Sequence, residues 1–369
     1  MSDPAPFFDI GFASLNHHGE ELCGDQVKID RSSKRSIVVL ADGLGSGVKA
    51  CILARLTAEI ILNMVKAGAT TAEVMDTVIG TLPVDKQHKV AYAAFTLLEL
   101  IHADGSFRVI SFDSPAPLLL VGGRPASLER HGRPVRGRTL LFSKGRLGTG
   151  DVLGLLTDGV PHAGVGEFHD FRWDRESIGR YLEETVKFHA SGAERTARRV
   201  IQKTRDLYGG KPGDDATFVA VVPRAARSLM VLTGPAVDRD FDEEYTRRLM
   251  DFPGRKVVCG GTTSDIVGAH LGVLVQGEPG SGREGIPPIG RLPGIDLVTE
   301  GIMTLAATLR MLDESKGVLE RVPGDRNGAA LLTRELLQAD SVSFLVGEQM
   351  NPYFQNPLLP RGVSIRRNL

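Results

Sequence analysis

The sequence predicts an α+β fold for the first part of the chain and a smaller α/β domain, with a mainly parallel sheet, for the rest. Up to residue 224, short apolar strands are interleaved with pairs of helices, which is typical of sheets covered by helices. Beyond residue 229, strands and helices alternate one by one, which favours parallel strands joined by helical crossovers. The segment 223–228 separates the two patterns, so we expect domains at residues 1–224 and 229–369.

In the first domain, strands are expected where apolar and β-branched residues cluster between turn residues. They cover residues 8–15, 27–30, 37–41, 91–101, 106–111, 118–121, 126–128, 139–142, 152–156 and 218–222. Asp104-Gly105 and Gly122-Gly123 lie between neighbouring strands and predict two hairpins. Helices are predicted where apolar residues recur at intervals of three and four, over residues 49–66, 71–82, 177–188 and 193–207.

In the second domain, the same signals predict four strands, four helices and one long loop. The strands cover residues 229–232, 256–259, 272–275 and 342–346. The helices cover residues 240–250, 264–270, 298–312 and 329–337. Residues 277–293 are rich in Gly and Pro and are expected to form the loop.

Charge and composition disfavour several classes of function. The 369 residues carry a formal net charge of −1, so no positive field favours nucleic acid. No apolar run approaches the ~20 residues of a membrane-spanning helix, and the first residues do not resemble a secretory leader. The three cysteines are too few for a disulfide framework. We therefore expect a cytoplasmic protein without membrane or nucleic-acid partners.

Aspartates recur at the ends of the predicted strands of the first domain. Asp42 follows a buried strand and precedes Gly43, and Asp158-Gly159 follows another strand. Asp25 and Asp214 each come just before a strand. An Asp-Gly turn also ends ordinary strands, so each motif alone has a purely structural interpretation. If the four carboxylates converge, however, their repulsion requires a cation, and carboxylates favour magnesium or manganese.

The ordered set of motifs resembles a known family. Residues 8–222 resemble the SpoIIE-like bacterial branch of the metal-dependent, protein phosphatase 2C-type serine/threonine phosphatases. The resemblance rests on Gly24-Asp25, Ala41-Asp42-Gly43-Leu44-Gly45-Ser46-Gly47, Thr157-Asp158-Gly159 and Asp214-Asp215-Ala216-Thr217, which occur in the family's order. It implies a β-sandwich of two antiparallel sheets flanked by helices, and two divalent cations, Mn²⁺ or Mg²⁺, as cofactors.

The resemblance also implies a role for each site residue. Asp42 would bridge the two metals, and the Gly43 carbonyl would bind one of them. Asp158 and Asp214 would hold the more buried metal, while Asp25 would lie at the outer one. Asp42 and Asp158 are the residues we expect to be catalytic. Many eukaryotic members carry a His directly after the central Asp-Gly, where this sequence has Leu44, so no general acid is assigned.

The function implied is hydrolysis of phosphoserine or phosphothreonine on a bacterial regulatory protein, such as an anti-sigma-factor antagonist. A water activated by the two metals would attack the phosphorus. Two alternatives remain open: a catalytically silent scaffold that keeps the fold, and a small-molecule sensor that acts through the second domain.

The second domain resembles an extra domain attached to SpoIIE-like phosphatases of anaerobes, often encoded near iron hydrogenases. Its candidate site is a strand–loop–helix segment with Gly260, Gly261, Thr262, Thr263 and Ser264. Backbone N–H groups and hydroxyls at a helix start can bind an anionic small molecule. The alternative is that Thr263 or Ser264 only caps the helix.

Overall fold

The computed structural model describes residues 6–81, 93–135, 138–163, 173–188, 192–283 and 285–348. The chain forms two compact units, Met1–Ala225 and Ala226–Leu369. No helix in the described ranges is long and apolar enough to cross a membrane. The first two residues of the strand predicted at 91–101 and the last residue of the helix predicted at 71–82 lie outside the described residues.

The first unit contains eleven described strands in two sheets, and every pairing is antiparallel. The first sheet has the order β2-β3-β4-β5-β9-β8 and comprises β2 (Asp25–Arg31), β3 (Arg35–Asp42), β4 (Ala94–Ile101), β5 (Ser106–Phe112), β8 (His131–Val135) and β9 (Arg138–Arg146). The second sheet has the order β1-β11-β10-β6-β7 and comprises β1 (Phe7–Leu15), β6 (Leu118–Val121), β7 (Arg124–Ala126), β10 (Val152–Leu156) and β11 (Ala216–Arg224).

The alternation of side chains along β3 shows how the layers are built. Ile37, Val39 and Ala41 belong to a core shared with α1 (Gly47–Lys66) and α2 (Thr71–Thr81). Val38 and Leu40 point the other way and belong to the core between the two sheets. Successive side chains of a strand face opposite sides, so a continuous apolar run is typical of a strand buried on both faces.

The second sheet is covered in the same way on its outer face. The helices α3 (Arg175–Phe188) and α4 (Ala193–Leu207) pack on it through residues such as Ile178, Leu182 and Val200. The first unit is therefore a sandwich of two sheets between two layers of helices, and the predicted α+β fold class is confirmed. The sequence analysis missed β8, a mostly exposed edge strand whose polar residues and Pro134 give no strand signal.

The second unit is built around a mainly parallel sheet of order β14-β15-β16-β13-β12-β17. The strands β12, β13, β16 and β17 are parallel, whereas β14 and β15 join antiparallel at one edge. The strands are β12 (Ser228–Thr233), β13 (Arg255–Cys259), β14 (Gln276–Gly277), β15 (Gly290–Arg291), β16 (Leu297–Thr299) and β17 (Ser341–Val346), and the helices are α5 (Asp242–Met250), α6 (Gly261–Leu271), α7 (Ile302–Ser315) and α8 (Gly328–Gln338). Short 3₁₀ helices cover Arg239–Phe241 and Leu319–Arg321.

Two predicted elements of the second unit are wrong. The helix predicted at 298–312 is in fact β16 followed by α7, because three β-residues are too short a run to separate from a helical pattern. The strand predicted at 272–275 is not formed, because α6 continues to Leu271 and ends at Gly272 with φ 69°. The loop predicted at 277–293 carries the end of β14 and all of β15.

Candidate metal centre

The site lies at one end of the sandwich, where strand ends from both sheets meet. Asp42 is the last residue of β3, and Asp25, the first residue of β2, is its direct cross-strand partner. Cross-strand partners project from the same face of a sheet. Asp158 follows β10 by two residues, and Asp214 precedes β11 by two residues. The two sheets thus bring four carboxyl groups to a common edge.

Thr157 links the two sheets at this edge. Its hydroxyl Oγ1 donates to Asp25 Oδ2 over 2.8 Å and accepts from the backbone N–H of Thr217 at 2.8 Å. All three residues are buried. Thr157 comes from the β10 side and Asp25 from β2, so this hydrogen bond fixes the carboxyl of one sheet against a strand end of the other.

The Asp25 carboxyl group is buried, and only one of its two oxygen atoms accepts a hydrogen bond among the described residues. Its residue is only 3% exposed, and its Oδ1 atom has no hydrogen-bond partner among the described residues. Burial raises the pKa of Asp25, and the nearby charges of Asp215 and Asp214 add to the rise, while hydrogen bonds from Thr217 and Thr157 oppose it. A buried carboxylate oxygen that lacks a donor is what a cation would satisfy.

Asp42 lies among the other three carboxyl groups. Burial is the largest cause that raises its pKa, followed by the charges of Asp25 and Asp158, a hydrogen bond with the Asp158 side chain and the charge of Asp214. Three neighbouring carboxylates thus raise the pKa of Asp42, and a divalent cation among them would reverse this effect, so the cluster fits a site for such cations. The donor set therefore suits the magnesium or manganese ions that the resemblance implies.

His162 joins two of these aspartates, which the sequence analysis did not foresee. One ligand atom from each of Asp158, His162 and Asp214 lies within 4.8 Å of the others. The backbone N–H of His162 donates to the Asp158 carbonyl oxygen at 3.1 Å, so a turn of the chain keeps the two residues close together. Burial and then the charge of Asp158 raise the pKa of Asp214, and the charge of His162 partly opposes the rise. The signal available in the sequence was the i, i+4 spacing of Asp158 and His162.

The glycine after Asp42 is required by close packing. A Cβ atom on Gly43 would lie 2.0 Å from the Ala50 carbonyl oxygen in α1. The N–H of Gly43 donates to the Gly24 carbonyl oxygen at 3.2 Å, which ties the turn to the residue before Asp25. The turn can therefore run close to the first helical turn of α1 only with Gly at this position.

Asp215, the second residue of the Asp pair, is held differently from Asp214. It is 3% exposed, its Oδ1 accepts from the His17 backbone N–H at 3.0 Å, and its Oδ2 is buried without a hydrogen-bond partner among the described residues. Asp214 is half-buried and accepts from the Asp215 N–H at 2.9 Å. Asp25 is buried, whereas Asp158 and Asp214 are half-buried. Asp25 projects between the sheets, while the other two lie on turns.

The predicted anion site of the second unit lies within the first turn of α6, because this helix begins at Gly261 and not at residue 264 as predicted. Gly260 is the residue before α6, and no side chain caps that helix, so the capping alternative is wrong. Thr263 Oγ1 accepts from the Gly234 N–H at 3.0 Å, and Ser264 Oγ donates to the Gly261 carbonyl oxygen at 2.8 Å.

A carboxylate also lies beside the start of α6. A Cβ atom on Gly261 would be 3.1 Å from Glu300 Oε1. Thr262 is exposed. The negative charge of Glu300 would repel an anion at this position, so the geometry disfavours the anionic ligand that the sequence pattern favoured.

Known structures share the fold of the first unit. The PP2C phosphatase domain of SpoIIE from Bacillus subtilis, solved with a fragment of its regulatory domain, aligns with a TM-score of 0.50 and 17% identity over 59% of this chain and 62% of that chain. The RsbU and RsbW domains of a Mycobacterium tuberculosis protein align with a TM-score of 0.50 and 18% identity over 66% of this chain and 68% of that chain. The chain thus spans less than two thirds of the Bacillus subtilis chain. No curated protein sequence matches significantly.

Sequence similarity defines the family. The family described as Stage II sporulation protein E (SpoIIE) matches residues 32–223, which are 192 of the 369 residues and just over half of the chain. Asp42, Asp158 and Asp214 lie inside the matched segment, and Asp25 lies just before it. The chain belongs to the SpoIIE family of PP2C-type phosphatases.

Proposed function

We propose that this chain hydrolyses phosphoserine or phosphothreonine on a protein, with two divalent cations, Mn²⁺ or Mg²⁺, as cofactors. The observation that carries the proposal is the convergence of four carboxyl groups, one of them with a buried oxygen that lacks a donor. Asp25, Asp42, Asp158 and Asp214, with the Gly43 carbonyl, would hold the cations. When bound, such a pair lowers the pKa of water and neutralises charge on a transferring phosphoryl group.

Several protein groups would position this chemistry. The charges of Asp25, Asp158 and Asp214 all act on Asp42, which supports the proposal that Asp42 would help to hold both cations. Thr157 holds the Asp25 carboxyl in one orientation through its hydroxyl. Tyr208 donates from its hydroxyl to the Gly159 carbonyl oxygen at 2.8 Å and so braces the turn that carries Asp158. A rigid donor set of this kind limits reorganisation during phosphoryl transfer.

A stripe of exposed apolar residues supports a protein as the substrate. Leu44, Val48, Ile52 and Leu56 are 50%, 61%, 54% and 48% exposed. The last three lie four residues apart on α1 and so share a helix face, and Leu44 lies in the turn next to Asp42. We propose that this stripe, which begins beside the metal centre, contacts an apolar patch next to the phosphorylated residue.

The first experiment tests catalysis with p-nitrophenyl phosphate. The full chain should hydrolyse it with Mn²⁺ or Mg²⁺ and lose turnover in chelator. Asp42→Asn and Asp158→Asn should each lower kcat by a factor of about 100 or more, since each removes a metal-binding charge. Asp113→Asn is the control, because Asp113 is exposed in a turn with φ 48°, which Asn also adopts. Absent turnover with intact folding would instead favour the scaffold alternative.

The second experiment tests the protein substrate in cells. A phosphosite that accumulates in cells carrying Asp42→Asn should also accumulate with Ile52→Glu, although Ile52→Glu still hydrolyses p-nitrophenyl phosphate. Ile101→Glu is the control, since Ile101 is 41% exposed and lies at the end of β4 away from Asp42. Accumulation with Ile101→Glu, or none with Ile52→Glu, contradicts the docking role. We expect the phosphosite to be on a cytoplasmic regulatory protein such as an anti-sigma-factor antagonist.

A further inference from the structure

We propose that His162 supplies an imidazole nitrogen to the cation held by Asp158 and Asp214, and that this ligand makes the site prefer manganese to magnesium. The inference rests on the proposed metal-dependent function and adds to it a specific ligand and an ion selectivity. It starts from the cluster of these three side chains, whose ligand atoms lie within 4.8 Å of one another. Donors around a single ion with bonds of ~2.1 Å are separated by up to roughly 4 Å.

The chain after β10 is folded so that His162 stays near Asp158. Three successive turns are closed by N–H donation from Val160 to Thr157, from His162 to Asp158 and from Ala163 to Val160, over 3.1–3.3 Å. The segment therefore reverses direction immediately after the strand.

Two further contacts hold this reversal, one with the residue after Asp214 and one with Tyr208, the residue after α4. A Cβ atom on Gly159 would lie 2.0 Å from the Asp215 carbonyl oxygen, and the Tyr208 hydroxyl donates to the Gly159 carbonyl oxygen. The backbone next to His162 is thus held in place, and the exposed His162 has a ring nitrogen within 4.8 Å of the ligand atoms of Asp158 and Asp214.

A second observation, the buried carboxyl group of Asp25, supports a cation at this cluster. The same group of carboxylates includes the 3% exposed Asp25, whose Oδ1 is buried without a hydrogen-bond partner among the described residues. His162 can complete the ligand set of a cation held by these carboxylates, because imidazole nitrogen is a common metal ligand.

Ligand chemistry gives the expected selectivity. Oxygen donors alone suit Mg²⁺, which keeps several waters and binds nitrogen poorly, whereas imidazole nitrogen suits transition metals. Mn²⁺ accepts both donor types and is the member of that series closest to Mg²⁺ in its preference for carboxylates. One nitrogen in an otherwise oxygen-rich set should therefore strengthen Mn²⁺ binding far more than Mg²⁺ binding.

The test uses the full chain, stripped of metal and titrated at pH 8 with MnCl₂ or MgCl₂ by calorimetry. His162→Ala should weaken Mn²⁺ binding by about tenfold or more and Mg²⁺ binding by less than about threefold. Electron spin-echo spectra of Mn²⁺ bound to the wild type should show ¹⁴N coupling that disappears in His162→Ala. His131→Ala is the matched control, because the His131 side chain is 66% exposed in the same unit and lies beside Glu129.

The outcomes separate the inference from the proposed function. Bound Mn²⁺ without ¹⁴N coupling in the wild type overturns the role of His162, as does coupling that persists in His162→Ala or an equal weakening of both ions. In any of these cases, metal-dependent hydrolysis that is lost in Asp158→Asn still supports the proposed function. A wild type that binds neither ion overturns both.

Discussion

Replacing Asp25 with Asn should stabilise the metal-free protein, although it should impair catalysis. Burial and neighbouring charges raise the pKa of Asp25 from 3.8 to about 7. The folded state therefore binds this proton more tightly than the unfolded chain does. The free energy of unfolding falls as the pH rises from about 4 to about 7 and stays low above that range. Asn is neutral at all these pH values and can still accept the hydrogen bond from the Thr157 hydroxyl.

The size of the effect follows from the pKa shift. A rise of about three units corresponds to about 4 kcal/mol at pH 8, because one unit is worth about 1.4 kcal/mol. At pH 5 the Asp25 carboxyl is protonated in the folded state, and the gain should fall below about 2 kcal/mol. The expected signature is thus a stabilisation by Asp25→Asn that at least doubles between pH 5 and pH 8 in chelator.

Urea unfolding of the full chain can measure this difference in the first unit alone. Trp173 is the only tryptophan of the chain, is 2% exposed and lies in the first unit, so its fluorescence reports on that unit. The variant Asp113→Asn is the control for a neutralised surface carboxylate. If Asp25→Asn destabilises the metal-free protein at pH 8, or shifts stability equally at both pH values, the reasoning from a strained buried carboxyl is refuted.

Two further predictions concern close packing and buried hydrogen bonds. Gly43→Ala should destabilise the first unit by about 1–3 kcal/mol, since its Cβ would lie 2.0 Å from the Ala50 carbonyl oxygen. Gly148→Ala, whose Cβ would have its nearest neighbour at 3.7 Å, should leave the unfolding midpoint unchanged, and equal midpoints for the two variants would contradict the packing argument. Thr263→Val should cost about 1–3 kcal/mol by leaving the buried Gly234 N–H without its acceptor. Thr263→Ser should restore slow hydrogen exchange at Gly234, and fast exchange in both variants would argue against this bond.

The sequence predicts the four-carboxylate edge because local patterns determine it. Asp42 ends the apolar strand β3, whose alternate side chains face the helices and the second sheet. Such a strand can be recognised from its own residues, without knowledge of the neighbouring strands. The sequence did not predict how deeply each carboxyl group is buried. Asp25 is buried because it pairs with Asp42 and receives a hydrogen bond from Thr157, a residue 132 positions away along the chain. Contacts of that kind depend on how the two sheets pack, which short-range patterns do not encode.

The second unit shows the same limit in another form. The pattern Gly260–Ser264 indicates a turn and a helix start, and α6 does begin there. The anion site stays a prediction, but the sequence did not show that Glu300 lies beside Gly261, because Glu300 follows β16, a three-residue strand that was predicted as part of a helix. The ends of neighbouring parallel strands lie at the same edge of a sheet, so a strand missed in the sequence leaves the residue that follows it unplaced.

In the proposed metal centre, metal binding and the choice of metal depend on different residues, so two substitutions should have opposite effects. Asp25 lies on a strand and is buried, so its charge destabilises the metal-free fold. His162 lies in a turn and is exposed, so removing its imidazole should not change the packing of the core. Asp25→Asn should raise metal-free stability and weaken Mn²⁺ and Mg²⁺ alike, because it removes a charge that both ions need. His162→Ala should leave metal-free stability unchanged and weaken Mn²⁺ selectively. If the two variants gave the same profile of stability and ion binding, Asp25 and His162 would not have separate roles. Ion selectivity would then have to come from the carboxylates.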